Sequence, residues 1–366
     1  MGARRPGGVG HSGTRVRILL IGPHWDTGRW TEYCTAGLRA GGHTVRSVIY
    51  SAELDQTVRM FGRLRRKLVG AHRFHLERVM DAMRRDNARA LEAAEAHQPA
   101  LIVVLKGEVL LPETVDRLRA IATGQVVQWC GDNPSWFPNL IGAAHLYHTF
   151  FLAEPSYGVD LIKHGARPAF LPHAADPAAW APSDGEPVTA GPDVIFVGDA
   201  RHNMGHLPAN RDRVERLELV ARLGVSLDVW GRGWEKLEET YAVRRHHRGL
   251  TLLPAAVVGR AYRAAKIVLN VHHAQMREGV NMRTFEIPAA GAFQLSDYKA
   301  RMDGLFDVGA EIAVFRGDDE LGEVIRHYLA HPAVRRDIAA AGRSRVLHDH
   351  TYEARMRELV EQATRT

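Results

Sequence analysis

Between residues 277 and 297 the chain reads REGVNMRTFEIPAAGAFQLSD, placing Glu278 and Glu286, with seven residues between them, around Asn281 and Arg283. Carboxylates accept hydrogen bonds from sugar hydroxyls, so two at different depths suit a ligand with a ribose and a second sugar. A diphosphate joining those sugars needs cations. Arg283 stands beside the glutamates, and Arg201 and Arg211 follow an earlier apolar run. The planar fork of arginine pairs bidentately with phosphate oxygens. Asn281 is a natural N-cap, and MRTFEIPAAG reads as a short helix stopped by Gly291. Free N–H groups along Gly279, Val280, Asn281 and Met282 would face the anion, with Gly279 allowing close approach. Pro288 removes one internal hydrogen bond, so a kink or a tight first turn is expected.

Four further places carry polar or aromatic groups near predicted strand ends. WCGDNPSWFP (129–138) offers Asp132 to position or deprotonate an acceptor hydroxyl and Trp136 to stack on it; an Asp-Asn-Pro turn is the structural alternative. Lys106, in VVLKGE, either meets an anion or is a surface lysine. IGPHWDTGRW (21–30) is a strand-to-helix loop with Gly22, Trp25 and Gly28 nearest a cleft; it lacks G-x-G-x-x-G, which argues against a nicotinamide dinucleotide. His173 stands where the last strand of the first half ends. The pairs His246/His247 and His272/His273 lack ligand spacing, and no metal site is expected. Cys34 and Cys130 read as reduced, buried thiols.

These groups need a scaffold of strand ends. Aliphatic runs at 16–22, 44–50, 100–105, 125–130, 148–153 and 168–172 alternate with helical patterns, and a second series follows at 193–198, 226–231, 249–253, 266–271, 291–296 and 311–315. Such alternation predicts parallel sheets built from βαβ units. The expected organisation is a tail (1–15), a first Rossmann-like domain (16–172), a Pro- and Ala-rich linker (173–192), a second Rossmann-like domain (193–345) and a terminal segment (346–366) crossing back to the first. Ligands of open parallel sheets sit beyond the carboxyl ends of the strands, so the cleft between two such domains is the expected site.

Net charge is +6, and all of the excess lies in residues 1–180, where Lys+Arg outnumber Asp+Glu 22 to 16. Residues 59–89 hold ten basic and three acidic side chains among apolar ones. That pattern suits peripheral contact with phospholipid or nucleic acid, or else a helix covering a sheet. No apolar run has the length of a membrane span, and a cytoplasmic protein is expected, with peripheral membrane contact through 59–89 left open.

The Glu278…Glu286 arrangement downstream of FVG resembles the donor site of retaining GT-B glycosyltransferases of the group 1 type. More narrowly, VWGRGW, KIVLNVHH and GVNMRTFEIPAAGAFQLSDY resemble the family of the spore maturation protein CgeB. The resemblance implies a GT-B fold, two Rossmann-like domains facing across a cleft, the second holding a nucleotide-diphosphate sugar and the first an acceptor. By position it gives Glu286 the ribose, Glu278 the transferred sugar, and Arg211 with the amides near Asn281 the diphosphate. Gly231 and Arg232 would border the base. No lysine stands in DARHNMGHLPANR, where related families carry one for phosphate, so Arg201 or Arg211 would take that task. No cofactor beyond a UDP-, GDP- or dTDP-sugar is implied. The basic first half suggests an anionic acceptor: a lipid phosphate, a cell-wall polymer or nucleic acid. Alternatives are a sugar-nucleotide epimerase or hydrolase of the same fold, and a non-catalytic protein binding anions or nucleic acid.

Overall fold

The computed structural model describes residues 15–24, 29–50, 71–182, 190–200, 211–250 and 254–365. Trp25, Gly28, Arg201, residues 51–70 of the basic region and the side chain of Arg211 lie outside this description.

The aliphatic runs become strands where their side chains can be covered, except the run at 249–253, which shares only Gly249 with the strand His247–Gly249 and whose residues 251–253 lie outside the described residues. The first sheet comprises β1 (Arg17–Pro23), β2 (Thr44–Tyr50), β3 (Leu101–Leu105), β4 (Gln125–Cys130), β5 (Thr149–Leu152) and β6 (Pro168–Phe170), in the order β2-β1-β3-β4-β5-β6. The second comprises β7 (Val194–Val197), β8 (Leu227–Trp230), β9 (His247–Gly249), β10 (Ile267–Asn270), β11 (Gln294–Asp297) and β12 (Ala313–Phe315), in the order β12-β11-β10-β7-β8-β9. Every pairing between these strands is parallel. In the second sheet, β7 has β8 on one side and β10 on the other, the doubly wound arrangement whose order reverses at that pair. Loops leaving the carboxyl ends of β7 and β10 therefore diverge and open a crevice.

Helix Ala71–His97 covers one face of the first sheet, burying Ala90, Leu91 and Ala94 against a core that includes Leu19, Ile102 and Val104. Within the basic segment, Ala82 is buried and Met83 packs against the same core, so the described part of its apolar stripe faces inward. The opposite face is covered by helices Trp30–Ala40 and Tyr352–Thr364, whose Cys34, Leu38, Met356 and Leu359 join Ile18, Leu20 and Trp129. A Cβ at Gly37 would lie 2.6 Å from the Tyr352 carbonyl oxygen, so only glycine lets these two helices meet so closely. The terminal helix follows Pro332–Asp349, and its start is fixed by Thr351, whose hydroxyl accepts from Ala354 N–H at 3.1 Å. Thr351 also bridges to Ala175.

The segment after β6 is more structured than its composition suggests. Asp176 caps a short helix, Pro177–Trp180, and buried Trp180 stacks on Tyr262 of the second domain with centroids 6.0 Å apart. Both cysteines are free and buried. Among the described residues no helix is long and apolar enough to cross a membrane.

Candidate functional site

The loop leaving β10 and the helix after it, Arg283–Ala289, form one wall of the cleft. Asn281 caps this helix: its Oδ1 accepts from the Thr284 N–H at 3.1 Å, and its amide exchanges hydrogen bonds with that of Asn270 at 2.9 and 3.2 Å. Of the N–H groups expected to face a phosphate, that of Gly279 is already taken: it donates to Glu154 Oε2 at 2.8 Å. Of the kink or tight first turn expected with Pro288, the tight first turn is present: Thr284 N–H donates to the Asn281 carbonyl at 3.2 Å and Phe285 N–H to that of Met282 at 3.0 Å. The helix ends one residue after Pro288, and Gly291, at φ +79°, turns the chain out of it.

Beneath this turn lies a polar core that the sequence reading did not anticipate. His272 donates its backbone N–H to Asp297 Oδ1 at 2.8 Å, its ring Nδ1 lies 2.6 Å from the same oxygen, and its Nε2 lies 3.2 Å from Thr284 Oγ1. Burial opposes ionisation of Asp297, but His272 and Lys299 outweigh it and hold the carboxyl well below the usual range. His272 thus has an acidic partner that its neighbours in sequence do not reveal. Its partner is 25 residues away and the two lock β10 to β11. Among the described residues no group of three or more His, Cys, Asp or Glu has a metal-holding arrangement.

Glu286 lies on the same helix as Arg283. Burial raises its carboxyl to about 7, a shift that Arg283 partly offsets. Arg213, missed in the sequence, reaches the ends of β7 and β10 from helix Arg211–Ala221. Its guanidinium donates to the carbonyls of Asp199 at 2.9 Å and Val271 at 2.8 Å. Burial and then the charge of Arg283 push its pKa down to about 9. Two guanidiniums that repel each other, with a carboxyl nearby, stand at the reversal point of the second sheet.

Gly231, at φ +142°, would place a Cβ 2.1 Å from the Gly198 carbonyl oxygen, so the ends of β8 and β7 meet only with glycine there. Arg232 is exposed; its backbone N–H donates to Asp199 Oδ1 at 2.8 Å and its carbonyl accepts from Ala200.

Across the cleft, the ends of β3 and β4 bring Lys106 and Asp132 together. Lys106 is no surface lysine: only 15% of its side chain is exposed, with Nζ 3.4 Å from Glu108 and 3.6 Å from Asp132. Burial works against its charge, but the two carboxylates outweigh this and raise its pKa. Trp136 lies in a single turn, Pro134–Trp136, and is partly exposed, while Nζ of Lys106 sits 5.3 Å from the Phe137 ring centroid. His173 is buried against Trp30, Trp129 and Gly131, and burial lowers its pKa to about 4. Gly22 is buried because a Cβ would meet Thr31 Oγ1 at 2.4 Å; it packs β1 against the following helix.

The loop after β10 brings the two walls into contact. Gln275 Nε2 donates to Asp132 Oδ1 at 3.2 Å, and Tyr157 O–H donates to the Gln275 carbonyl at 2.7 Å. Glu154, after β5, accepts the backbone N–H groups of Arg277, Glu278 and Gly279. A Cβ on Gly279 would lie 2.2 Å from the Ala153 carbonyl oxygen, so its close approach is to the first domain's backbone. Val280 behind it is fully buried, and Met282 is partly exposed. Glu278 is half exposed, with Arg301 3.8 Å away, and Arg301 lies over Phe170 of β6.

Comparison with known proteins accords with this arrangement. Residues 211–361 match the family described as glycosyl transferase-like. The spore protein CgeB of Bacillus subtilis is 26% identical over 155 residues, covering 39% of this chain and 47% of CgeB, so the match spans about half of that relative's length. Among solved structures, sucrose-phosphate synthase of Thermosynechococcus elongatus superposes with a TM-score of 0.64 at 13% identity, covering 95% of this chain and 98% of that one. Anabaena HepE in complex with UDP-glucose gives 0.60 at 13% identity, covering 95% and 99%. In fold and in its second domain, this chain resembles the GT-B glycosyltransferases of the group 1 type and, among them, CgeB.

Proposed function

We propose that the protein is a nucleotide-sugar-dependent glycosyltransferase that moves a sugar from a nucleoside diphosphate to an acceptor hydroxyl, with retention and without a catalytic metal. The observation that carries this reading is the meeting of Arg213, Arg283 and Glu286 at the ends of β7 and β10, within the segment matched by the transferase family. A departing diphosphate needs positive charge already in place, and Arg213, buried and held by two carbonyls, with the partly exposed Arg283 beside it, supplies it without reorganisation. Glu286 then accepts from the ribose hydroxyls and Glu278, at the cleft edge, from the transferred sugar. The loop 279–282 and Arg232 border the donor, with Arg201 and Arg211 as further candidates for phosphate.

Asp132 is the candidate to orient the acceptor hydroxyl. Its partner Lys106 is shared with Glu108, which leaves this wall with two carboxylates against one ammonium. That balance favours a neutral acceptor over the anionic one suggested by net charge. Uridine is the first base to test, because UDP-glucose occupies the similarly folded HepE. The test is release of nucleoside diphosphate from UDP-, GDP- and dTDP-sugars, with and without added acceptor fractions, by wild type and Glu286→Ala. Release confined to one nucleotide class and lost in the variant supports the reading; equal release by both proteins refutes it.

A further inference from the structure

Resting on the donor-site reading above, we propose that Glu154 is a positioning residue that holds the Glu278-bearing loop across the cleft, so that the first domain sets where the transferred sugar is gripped. Glu154 stands two residues beyond β5 and is 1% exposed. Its Oε2 accepts three successive backbone N–H groups of the second domain: Arg277 at 2.8 Å, Glu278 at 3.1 Å and Gly279 at 2.8 Å. Its Oε1 accepts the local Ser156 N–H at 3.1 Å. Successive N–H groups converging on one oxygen form an anion cradle, and a carboxylate fills it with both oxygens as acceptors.

Its own domain fixes the loop at both ends, through His272 on Asp297 and Asn281 on Asn270 and Thr284, and less between them. Residues 271–282 form neither helix nor strand. From its own domain, the Glu278 carbonyl accepts from Arg301 N–H at 3.0 Å, and Met276 N–H bonds within the loop to His273. The first domain contributes the three bonds to Glu154, the Tyr157 bond to the Gln275 carbonyl and the Gln275–Asp132 bond. Gly279 makes this approach possible, since any side chain there would strike Ala153. Opening the cleft strips the loop of these bonds and frees Glu278 to wander. Nucleotide held by the second domain alone would then bind with the sugar poorly gripped.

The test compares wild type, Glu154→Gln and the milder Tyr157→Phe by hydrogen exchange of peptides spanning 275–282, by nucleoside diphosphate affinity and by turnover of the nucleotide sugar. Glutamine keeps the shape but replaces one acceptor oxygen with a donor that faces N–H groups. We expect loop exchange to rise about tenfold or more in Glu154→Gln and less in Tyr157→Phe, with peptides of β7 and β10 unchanged. Nucleotide affinity should stay within about twofold while turnover falls roughly 10- to 100-fold, the loss of a charge-assisted contact made to position the reacting sugar. Unchanged exchange overturns the clasp, and faster exchange with unchanged turnover overturns its role in positioning. A wild type that binds no nucleotide refutes the donor reading and the sugar role with it, whereas the exchange result still decides whether Glu154 holds the loop.

Discussion

Replacing Glu286 by glutamine should make the empty protein more stable at alkaline pH while weakening its grip on the donor. Burial raises this carboxyl from 4.5 to about 7, with Arg283 returning part of the shift. At about 1.4 kcal/mol per pH unit, that corresponds to roughly 3–4 kcal/mol as an upper bound. The side chain is partly open to the cleft, so about 1–3 kcal/mol is the working figure. The sign follows from the folded pKa lying above the unfolded one. The native state holds the proton more tightly, so this stabilisation is complete below about pH 4.5 and is lost as pH rises through about 7. Glutamine mimics the protonated form and carries no such loss. Differential scanning calorimetry should therefore give nearly equal melting temperatures at pH 5, and a Glu286→Gln protein roughly 2–8 °C more stable at pH 8. A difference that is the same at both pH values, or a variant less stable at pH 8, would refute the reasoning.

Gly279→Ala drives a Cβ to 2.2 Å from the Ala153 oxygen; turnover should fall at least tenfold with nucleotide affinity nearly unchanged, read by steady-state kinetics and calorimetric titration. Gly231→Ala meets both a 2.1 Å clash with Gly198 and a positive φ, and should destabilise the protein by about 2–4 kcal/mol in urea unfolding. Burial lowers His173 and His350 to about 4, below their unfolded value near 6.5. Each therefore binds protons more readily when unfolded, so stability should fall as pH drops from about 6.5 towards 4. His350 donates Nε2–H to the Leu305 carbonyl and accepts from Arg355 at Nδ1, which fixes it neutral, and His350→Gln should flatten that acid limb in pH-dependent melting. Asp132→Asn should lower kcat more than it raises the donor KM, because Asp132 faces the acceptor side.

The strands were legible because burial on both faces demands continuous aliphatic runs. β4 coincides with the run at 125–130 and is buried beyond its first residue, whereas β2, an edge strand, coincides with 44–50 although its first residues are partly exposed. Errors fall where backbone conformation ends an element. β11 begins at Gln294, three residues later than the run suggests, because Gly291 at φ +79° is still leaving the preceding helix. The linker's helix was hidden because its one anchoring side chain, Trp180, is defined by Tyr262, far along the chain. The candidate site was legible only as chemistry attached to strand ends. Asn281 as a cap can be read from neighbours three residues away, whereas the pairing of His272 with Asp297 needs the register of β10 against β11. Arg213 is marked out only by lying on the inward face of its helix, which the sequence pattern does not single out. Glu154 carried one local signal, a glutamate just past the strand run FFLA, but its partners lie 123 to 125 residues away.

The central claim is that the second domain holds a nucleoside diphosphate through Glu286 and the neighbouring guanidiniums. Calorimetric titration of UDP, GDP and dTDP into wild type and Glu286→Ala at pH 8, at low salt, tests it most directly. One nucleotide should bind the wild type with 1:1 stoichiometry and bind the variant roughly 10- to 100-fold more weakly, as expected for losing charge-assisted bonds to ribose. Equal affinity in both proteins, or no binding of any of the three to a fully folded wild type, would contradict it.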